Sequence, residues 1–195
     1  MQQNTAMFSQ FKIQTLTKLQ NAIKKNEVDE KVRPIIDIIN DLDSYVTTSS
    51  CAGRIILMQL PEVGDKKNAI FLGKWHRSIK FSEIKDTLET YDDGQLWFIT
   101  QSPIFHIAAE AINDADNLVK LGICSGFKHS GFKTGKKRII VEICSTERMD
   151  VPIAVNKNVY VSDEYLELLV EFGNDLLIRG HKKLEKLLTM LKTRD

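Results

Sequence analysis

The sequence predicts an α+β fold: a mainly antiparallel sheet built from hairpins, helices packed against it, and a long C-terminal helix. Three observations carry that expectation. Runs of β-type residues come as hairpins separated by helical stretches, without a strict strand–helix–strand repeat. Apolar residues three and four apart mark helices at both ends of the chain. No GxGxxG follows a first strand with an acidic residue about 20 residues beyond, so a doubly wound nucleotide or methyl-donor domain is not expected.

The elements follow in order. Phe8, Phe11, Leu16, Leu19 and Ile23 share one helical face, which predicts a helix over residues 5–26 ending at Lys24-Lys25-Asn26. Pro34 suits the first turn of a second helix carrying Ile35, Ile36, Ile38, Ile39 and Leu42. Tyr45 to Thr48 is a short β-type run, and Arg54 to Leu60 is a strand. The turn-rich loop Pro61–Asn68 joins it to a second strand, Ala69 to Arg77. Side chains alternate along a strand, so Trp75 and His76 are expected on opposite faces. Ser82 is the expected cap of a short helix, with Lys85 inside it.

Asp93-Gly94 marks a turn before a strand at Leu96–Gln101, and beyond Ser102-Pro103 the strand resumes at Ile104–Ala109. A helix at about Glu110–Gly122 is expected to turn Ala111, Ala115, Leu118 and Val119 inward. Cys124–Gly135 reads as irregular, then strands fall at Arg138–Ser145 and Val151–Val155. The last helix starts at Asp163, with Tyr165, Leu169, Phe172, Leu176, Leu184, Leu187 and Leu191 as its inner face and Gly180 in the one long step between them. The chain reads as a single domain over 1–195. A strand-hairpin-helix pattern at about 45–101 recurs at about 96–155 as a faint internal duplication.

Composition narrows the classes. Forty-three percent apolar residues supply an ordinary core. Charges nearly cancel, 27 basic against 26 acidic, so any nucleic-acid footprint must come from their segregation. Lys120 to Arg148 holds seven basic residues and two acids, and Arg179 to Asp195 six and two. Cys51, Cys124 and Cys144 are odd in number and form no CxxC, which argues against a disulfide framework and a zinc ribbon. The His, Cys and carboxylate spacing shows no metal site, and no metal is expected. With no signal-peptide order and no membrane-length apolar run, a cytoplasmic chain is the simplest reading.

The chemistry-bearing stretch is Ser49-Ser50-Cys51-Ala52-Gly53-Arg54. Its small residues let backbone approach a ligand, and Arg54 can fork onto a carboxylate or phosphate. A tight turn opening a strand explains the same residues without a ligand. Cys51 as a nucleophile needs a base such as His76 or His106, and a buried structural Cys is commoner. Lys128, His129, Ser130 and Lys133 can hold phosphates, or sit on a plain surface loop. Trp75, Trp97 and Phe132 can stack on a base, or serve the core.

Five stretches in order resemble one family: Ser49–Arg54, then Lys74-Trp75-His76, His106-Ile107-Ala108, Gly126-Phe127-Lys128-His129-Ser130-Gly131, and Glu142-Ile143-Cys144-Ser145-Thr146. Together they look like the tRNA wybutosine-synthesising methyltransferases, the third enzyme of that pathway, in its short archaeal form. The resemblance implies methylation by S-adenosylmethionine of a ring nitrogen of a tricyclic guanosine at position 37 of phenylalanine tRNA, without the doubly wound fold. It implies a donor pocket using Ser49, Ser50, Cys51, Gly53, Arg54 and His106, with Arg54 on a carboxylate. His76 is implied as the base or as the group that orients the substrate. Trp75, Lys74, Lys128, Ser130, Gly131 and Lys133 are implied to hold the anticodon loop. Ala52 departs from the family's usual Ser, and Cys144 from a frequent basic residue. The rival readings are a non-catalytic RNA-binding module using the basic 120–148 segment, and an interaction protein using its last helix.

Overall fold

The structure is a computed structural model that describes residues 2–65, 67–135 and 138–193. Lys66 in the expected loop, and Lys136 and Lys137 in the expected basic segment, lie outside the described residues. The α+β class holds, with every ladder antiparallel. The strands form two sheets instead of one. In order come α1 (Gln2–Lys24), α2 (Arg33–Asp41), β1 (Tyr45–Cys51), β2 (Arg54–Leu60), β3 (Ile70–Trp75) and α3 (Phe81–Leu88). Then follow β4 (Gln95–Gln101), β5 (Ile104–Ala109), α4 (Ile112–Cys124), β6 (Gly131–Thr134), β7 (Ile139–Cys144), β8 (Met149–Val155), β9 (Asn158–Val159) and α5 (Asp163–Lys192).

The chain packs as two compact units. The first takes residues 1–52, 103–146 and 181–195, the second 53–102 and 147–180. Each expected duplicate, 45–101 and 96–155, therefore draws on both units. Ser102-Pro103 is the switch: β4 belongs to one sheet and β5 to the other, because Pro103 has no N–H with which to continue a ladder.

In the first unit the sheet order is β1-β5-β7-β6. Phe105, Ile107, Val141 and Ile143 alternate onto one face. They pack with Ile35, Ile36 and Ile39 of α2, Ala115, Leu118 and Leu121 of α4, and Leu184, Leu187 and Leu191 of α5. Phe127 is fully buried in the same core. It anchors the turn after α4 with about 2–3 kcal/mol of apolar burial. Ala111, expected inside, is exposed and precedes the helix, which begins at Ile112. Arg138 lies over the Phe11 ring of α1, 3.7 Å from its centroid, and Lys12 Nζ donates to the Leu42 carbonyl at 2.6 Å.

In the second unit the order is β3-β2-β4-β8-β9. Ile55, Leu57, Leu96, Phe98 and Ile153 make its core face, covered by Ile84 of α3 and Leu166, Leu169, Val170 and Leu177 of α5. The cap of α3 is not Ser82. The Lys80 N–H donates to the Glu83 carboxylate at 2.9 Å, so the capping acid sits one turn inside the helix and reaches back. The inner face of α5 also differs from expectation. Tyr165 and Phe172 are exposed, and Leu166, Leu169, Gly173, Leu177 and Gly180 are buried. Among the described residues no helix is long and apolar enough to cross a membrane.

Candidate functional site

The chain passes from the first unit to the second inside the opening stretch: Ser49–Ala52 end the first segment, and Gly53 and Arg54 begin the next. Gly53 has φ of +91°, a left-handed conformation that glycine enters at no steric cost. Ala52 is buried in the first core, among apolar neighbours. Two side chains that sequence reasoning missed hold its peptide. Asp29 accepts the Ala52 N–H at 2.7 Å, and His181 hydrogen-bonds the Ala52 backbone. Burial is the main cause that pushes the His181 imidazole below its ordinary pKa, helped by Lys31 and opposed by the Ala52 backbone, Glu185 and Asp29.

On the sheet face opposite the first core, three side chains meet in one row. Ser49 pairs with His106 across β1 and β5, and His106 pairs with Glu142 across β5 and β7. Ser49 Oγ lies 2.9 Å from His106 Nδ1, and His106 Nε2 lies 3.0 Å from Glu142 Oε2. Gly131 of β6 stands opposite Glu142, with nothing within 4 Å of where its side chain would begin. Cys51 and Cys144 flank this row, both in register with Ile104. Ser50 is in register with Phe105 and so alternates toward the core face.

The Cys124–Gly135 stretch is more ordered than an irregular loop. Gly126 takes φ of +100°, the Phe127 N–H reaches the Gly122 carbonyl at 2.9 Å, and the His129 N–H reaches the Cys144 carbonyl at 3.1 Å. Ser130 Oγ donates to the Phe127 carbonyl at 2.7 Å, which leaves oxygen lone pairs for a ligand. Lys128 and Lys133 are exposed.

In the second unit Arg54 is held from two sides. Its Nε donates to Gln101 Oε1 at 2.7 Å, its partner residue across β2 and β4, and its guanidinium carbon lies 5.7 Å from the Phe71 ring centre. Among the described residues its two terminal nitrogens have no hydrogen-bond partner. Lys74 pairs with Ile56 and therefore shares the Arg54 face, whereas Trp75 pairs with Ile55 on the core face. The Trp75 ring lies directly over Gly73, where a Cβ would collide with it, and packs against the core. β3 ends at Trp75, so the strand alternation expected to place His76 does not reach it.

The segment after His76 is fixed in other ways. Arg77 makes a two-pronged pair with Glu83, at 2.7 and 3.1 Å. That guanidinium, then the Lys80 N–H, holds the Glu83 carboxyl at about 2. Asn174 of α5 accepts the Ile79 N–H and donates to the Ile79 carbonyl, both at 2.9 Å. The predicted site residues thus divide by unit. Ser49, Cys51, His106 and Gly131 share one sheet face in the first, with Lys128 and Ser130 in the turn leading to β6. Arg54 and Lys74 share a face in the second.

Comparison with known proteins gives consistent matches. The family described as Methyltransferase TYW3 matches residues 10–193. A Pyrococcus horikoshii protein named tRNA(Phe) 7-((3-amino-3-carboxypropyl)-4-demethylwyosine(37)-N(4))-methyltransferase 1 is 45% identical over 184 residues, covering 94% of each chain. A Methanocaldococcus jannaschii protein of the corresponding name is 38% identical over 179 residues, covering 90% of this chain and 92% of its own. The solved structure of the PH1069 protein from Pyrococcus horikoshii superposes with a TM-score of 0.91 at 44% identity, covering 96% of this chain and 97% of that one.

Proposed function

The chain belongs to the Methyltransferase TYW3 family and is a methyltransferase; from that premise we propose that it methylates N4 of 7-(3-amino-3-carboxypropyl)-4-demethylwyosine at position 37 of tRNA(Phe), with S-adenosylmethionine as the donor. The substrate is the one that its relatives' names state. The observation that carries the donor reading is Arg54. Its Nε is engaged by Gln101, its plane is held beside Phe71, and its two terminal nitrogens are available. A guanidinium fixed in that way suits a carboxylate, which it grips through two parallel hydrogen bonds. The donor carries a carboxylate at one end and supplies a methyl group on a positively charged sulfur.

The chain's own residues then bind and align. Arg54 holds the carboxylate, and the small residues Ser49–Gly53 let the backbone come close to the bound molecule. Lys128 and Lys133 meet phosphates of the anticodon loop, and Ser130 and Gly131 line the approach beside them. Lys74, on the Arg54 face, adds a positive charge for the same substrate. Trp75, half-buried and packed over Gly73, lends its remaining surface to the base. His76 orients the base. Most of the acceleration comes from positioning, because methyl transfer needs three atoms in line. The runner-up, a non-catalytic RNA-binding module in the cytoplasm, predicts tRNA binding without transfer, and the family membership speaks against it.

The test is incubation of the purified chain with methyl-labelled S-adenosylmethionine and tRNA(Phe) carrying the demethylated tricyclic base. Label at nucleotide 37 is expected, together with saturable donor binding in calorimetry that Arg54→Ala abolishes. Intact tRNA binding with no incorporated label would refute the assignment.

A further inference from the structure

We propose that Ser49, His106 and Glu142 are the proton-accepting relay of the methyl transfer, with Ser49 Oγ meeting the target nitrogen and Glu142 acting as a positioning residue. The proposal rests on the function proposed above and specifies who takes the proton.

Hydrogen-bond capacity sets the direction of the row. Glu142 as a carboxylate can only accept, so His106 Nε2, 3.0 Å away, carries the hydrogen. The neutral ring then has its lone pair at Nδ1, and Ser49 Oγ at 2.9 Å donates to it. Both ring nitrogens are therefore engaged, and the imidazole does not itself touch a ligand. The atom that this chain of hydrogen bonds presents outward is the Ser49 oxygen, on an exposed residue. A hydroxyl whose proton is already committed to an imidazole is a proton acceptor.

A β-bulge makes the row. Thr47 pairs with Ile107, and the next pair is Ser49 with His106, so Thr48 is an extra residue. Without it Thr48 would stand opposite His106 and Ser49 would turn toward the core. Thr48 instead donates its hydroxyl to the His106 carbonyl at 3.0 Å, which ties the bulge to the strand it serves. One strand thus presents two hydroxyls to one histidine, one to its backbone and one to its ring.

The proton balance closes. The target nitrogen's electron pair forms the N–CH3 bond as the methyl–sulfur bond breaks, and sulfur keeps that bond's electrons. The nitrogen's proton moves to Ser49 Oγ while the Ser49 proton moves to His106 Nδ1. Glu142 stabilises the imidazolium through Nε2, and the ring returns its extra proton to water. Glu142 also sets the tautomer, as a carboxylate behind a catalytic imidazole does. Among the described residues the other titratable groups on the strands of this face are Cys51, Cys144 and Lys133, and the Asp29 carboxylate lies within 4.8 Å of Cys51 Sγ.

The experiment combines single-turnover transfer with nitrogen-15 spectra of the histidine rings in ligand-free protein. Ser49→Ala and His106→Asn are expected to slow transfer about a hundredfold at saturating donor and tRNA, the lower range for a general base. Glu142→Gln is expected to slow it about tenfold, because the imidazolium formed during transfer loses its counter-charge. Glu142→Asp should restore much of the rate. The spectra should show the Nε2–H tautomer at His106 and lose that preference in Glu142→Gln. Wild-type transfer together with unaltered rate and unaltered His106 spectra in Glu142→Gln overturns the relay alone. A wild-type chain that binds the tRNA and transfers nothing overturns the proposed function, and the relay with it.

Discussion

Asn174→Ala is the sharpest test of how the His76 segment is held. Asn174 spends its whole amide on one residue, accepting the Ile79 N–H and donating to the Ile79 carbonyl, each at 2.9 Å. Ile79 is 5% exposed, so truncation leaves a backbone donor and a backbone acceptor poorly supplied with water. A buried polar group left unpaired costs about 1–3 kcal/mol. Partial solvent access puts each at the low end, for a total of about 2 kcal/mol. In a chain of this length each kcal/mol lowers Tm by about 2–4 °C, so the variant should melt about 4–8 °C earlier in calorimetry at neutral pH. Asn174→Asp has nearly the same shape but turns a carboxylate oxygen toward the Ile79 carbonyl, and it should be no more stable than the alanine variant. An aspartate variant that melts like the parent would show that shape alone, and not the paired hydrogen bonds, places the segment.

Gly173→Ala gains about 1 kcal/mol of helix propensity, yet its Cβ would lie 2.9 Å from Thr100 Oγ1 and 3.1 Å from two Phe98 ring carbons. Overpacking of about 1–3 kcal/mol outweighs that gain, so urea unfolding should show a net loss, and a gain in stability would refute the packing. His181 is held below its ordinary pKa, so the unfolded chain takes up its proton first as pH falls below 6.5, and stability declines there. His181→Gln should lessen that decline in thermal midpoints, and parallel curves would refute it. Glu83, held at about 2, stabilises fully above 4.5 and loses that contribution as pH falls toward 2. Glu83→Gln should remove slope in that acid window alone, and an equal slope in both proteins would count against the Arg77 clamp.

Much of the fold is written in local pattern. The β2–β3 hairpin follows from two apolar runs around a turn-rich loop, and Asp163 opens α5 where the acid was expected. The inner face of α5 was legible in part: Leu169, Leu184, Leu187 and Leu191 are buried as expected, whereas Tyr165 and Phe172 are not, for a definite reason. Its buried series runs through Leu166, Leu169, Gly173, Leu177, Gly180, Leu184, Leu187 and Leu191. Two of those positions are glycines, which carry no apolar signal, so periodicity settles on the exposed Tyr165 and Phe172 one step away. The separation into two sheets is likewise a matter of which strands pair over distance. Only Pro103 hinted at it.

The site divides the same way. Ser49, Arg54 and His106 stand in short motifs, and a motif names residue types without naming their partners. The partner of His106 is Glu142, 36 residues later, brought beside it by the pairing of β5 with β7. What brings Ser49 to the other side of the ring is one unpaired threonine in β1. An alternation argument applied to β1 from its buried first residues puts Ser49 on the core face, and the bulge reverses that. Asp29 and His181 on the Ala52 backbone are equally invisible, since each acts by touching a peptide and no sequence pattern records that contact. Candidate binding residues can be read one at a time, but their charged partners come into place only once the register is fixed. For that reason a variant at Glu142 or Thr48 tests the site more severely than another variant within the motifs.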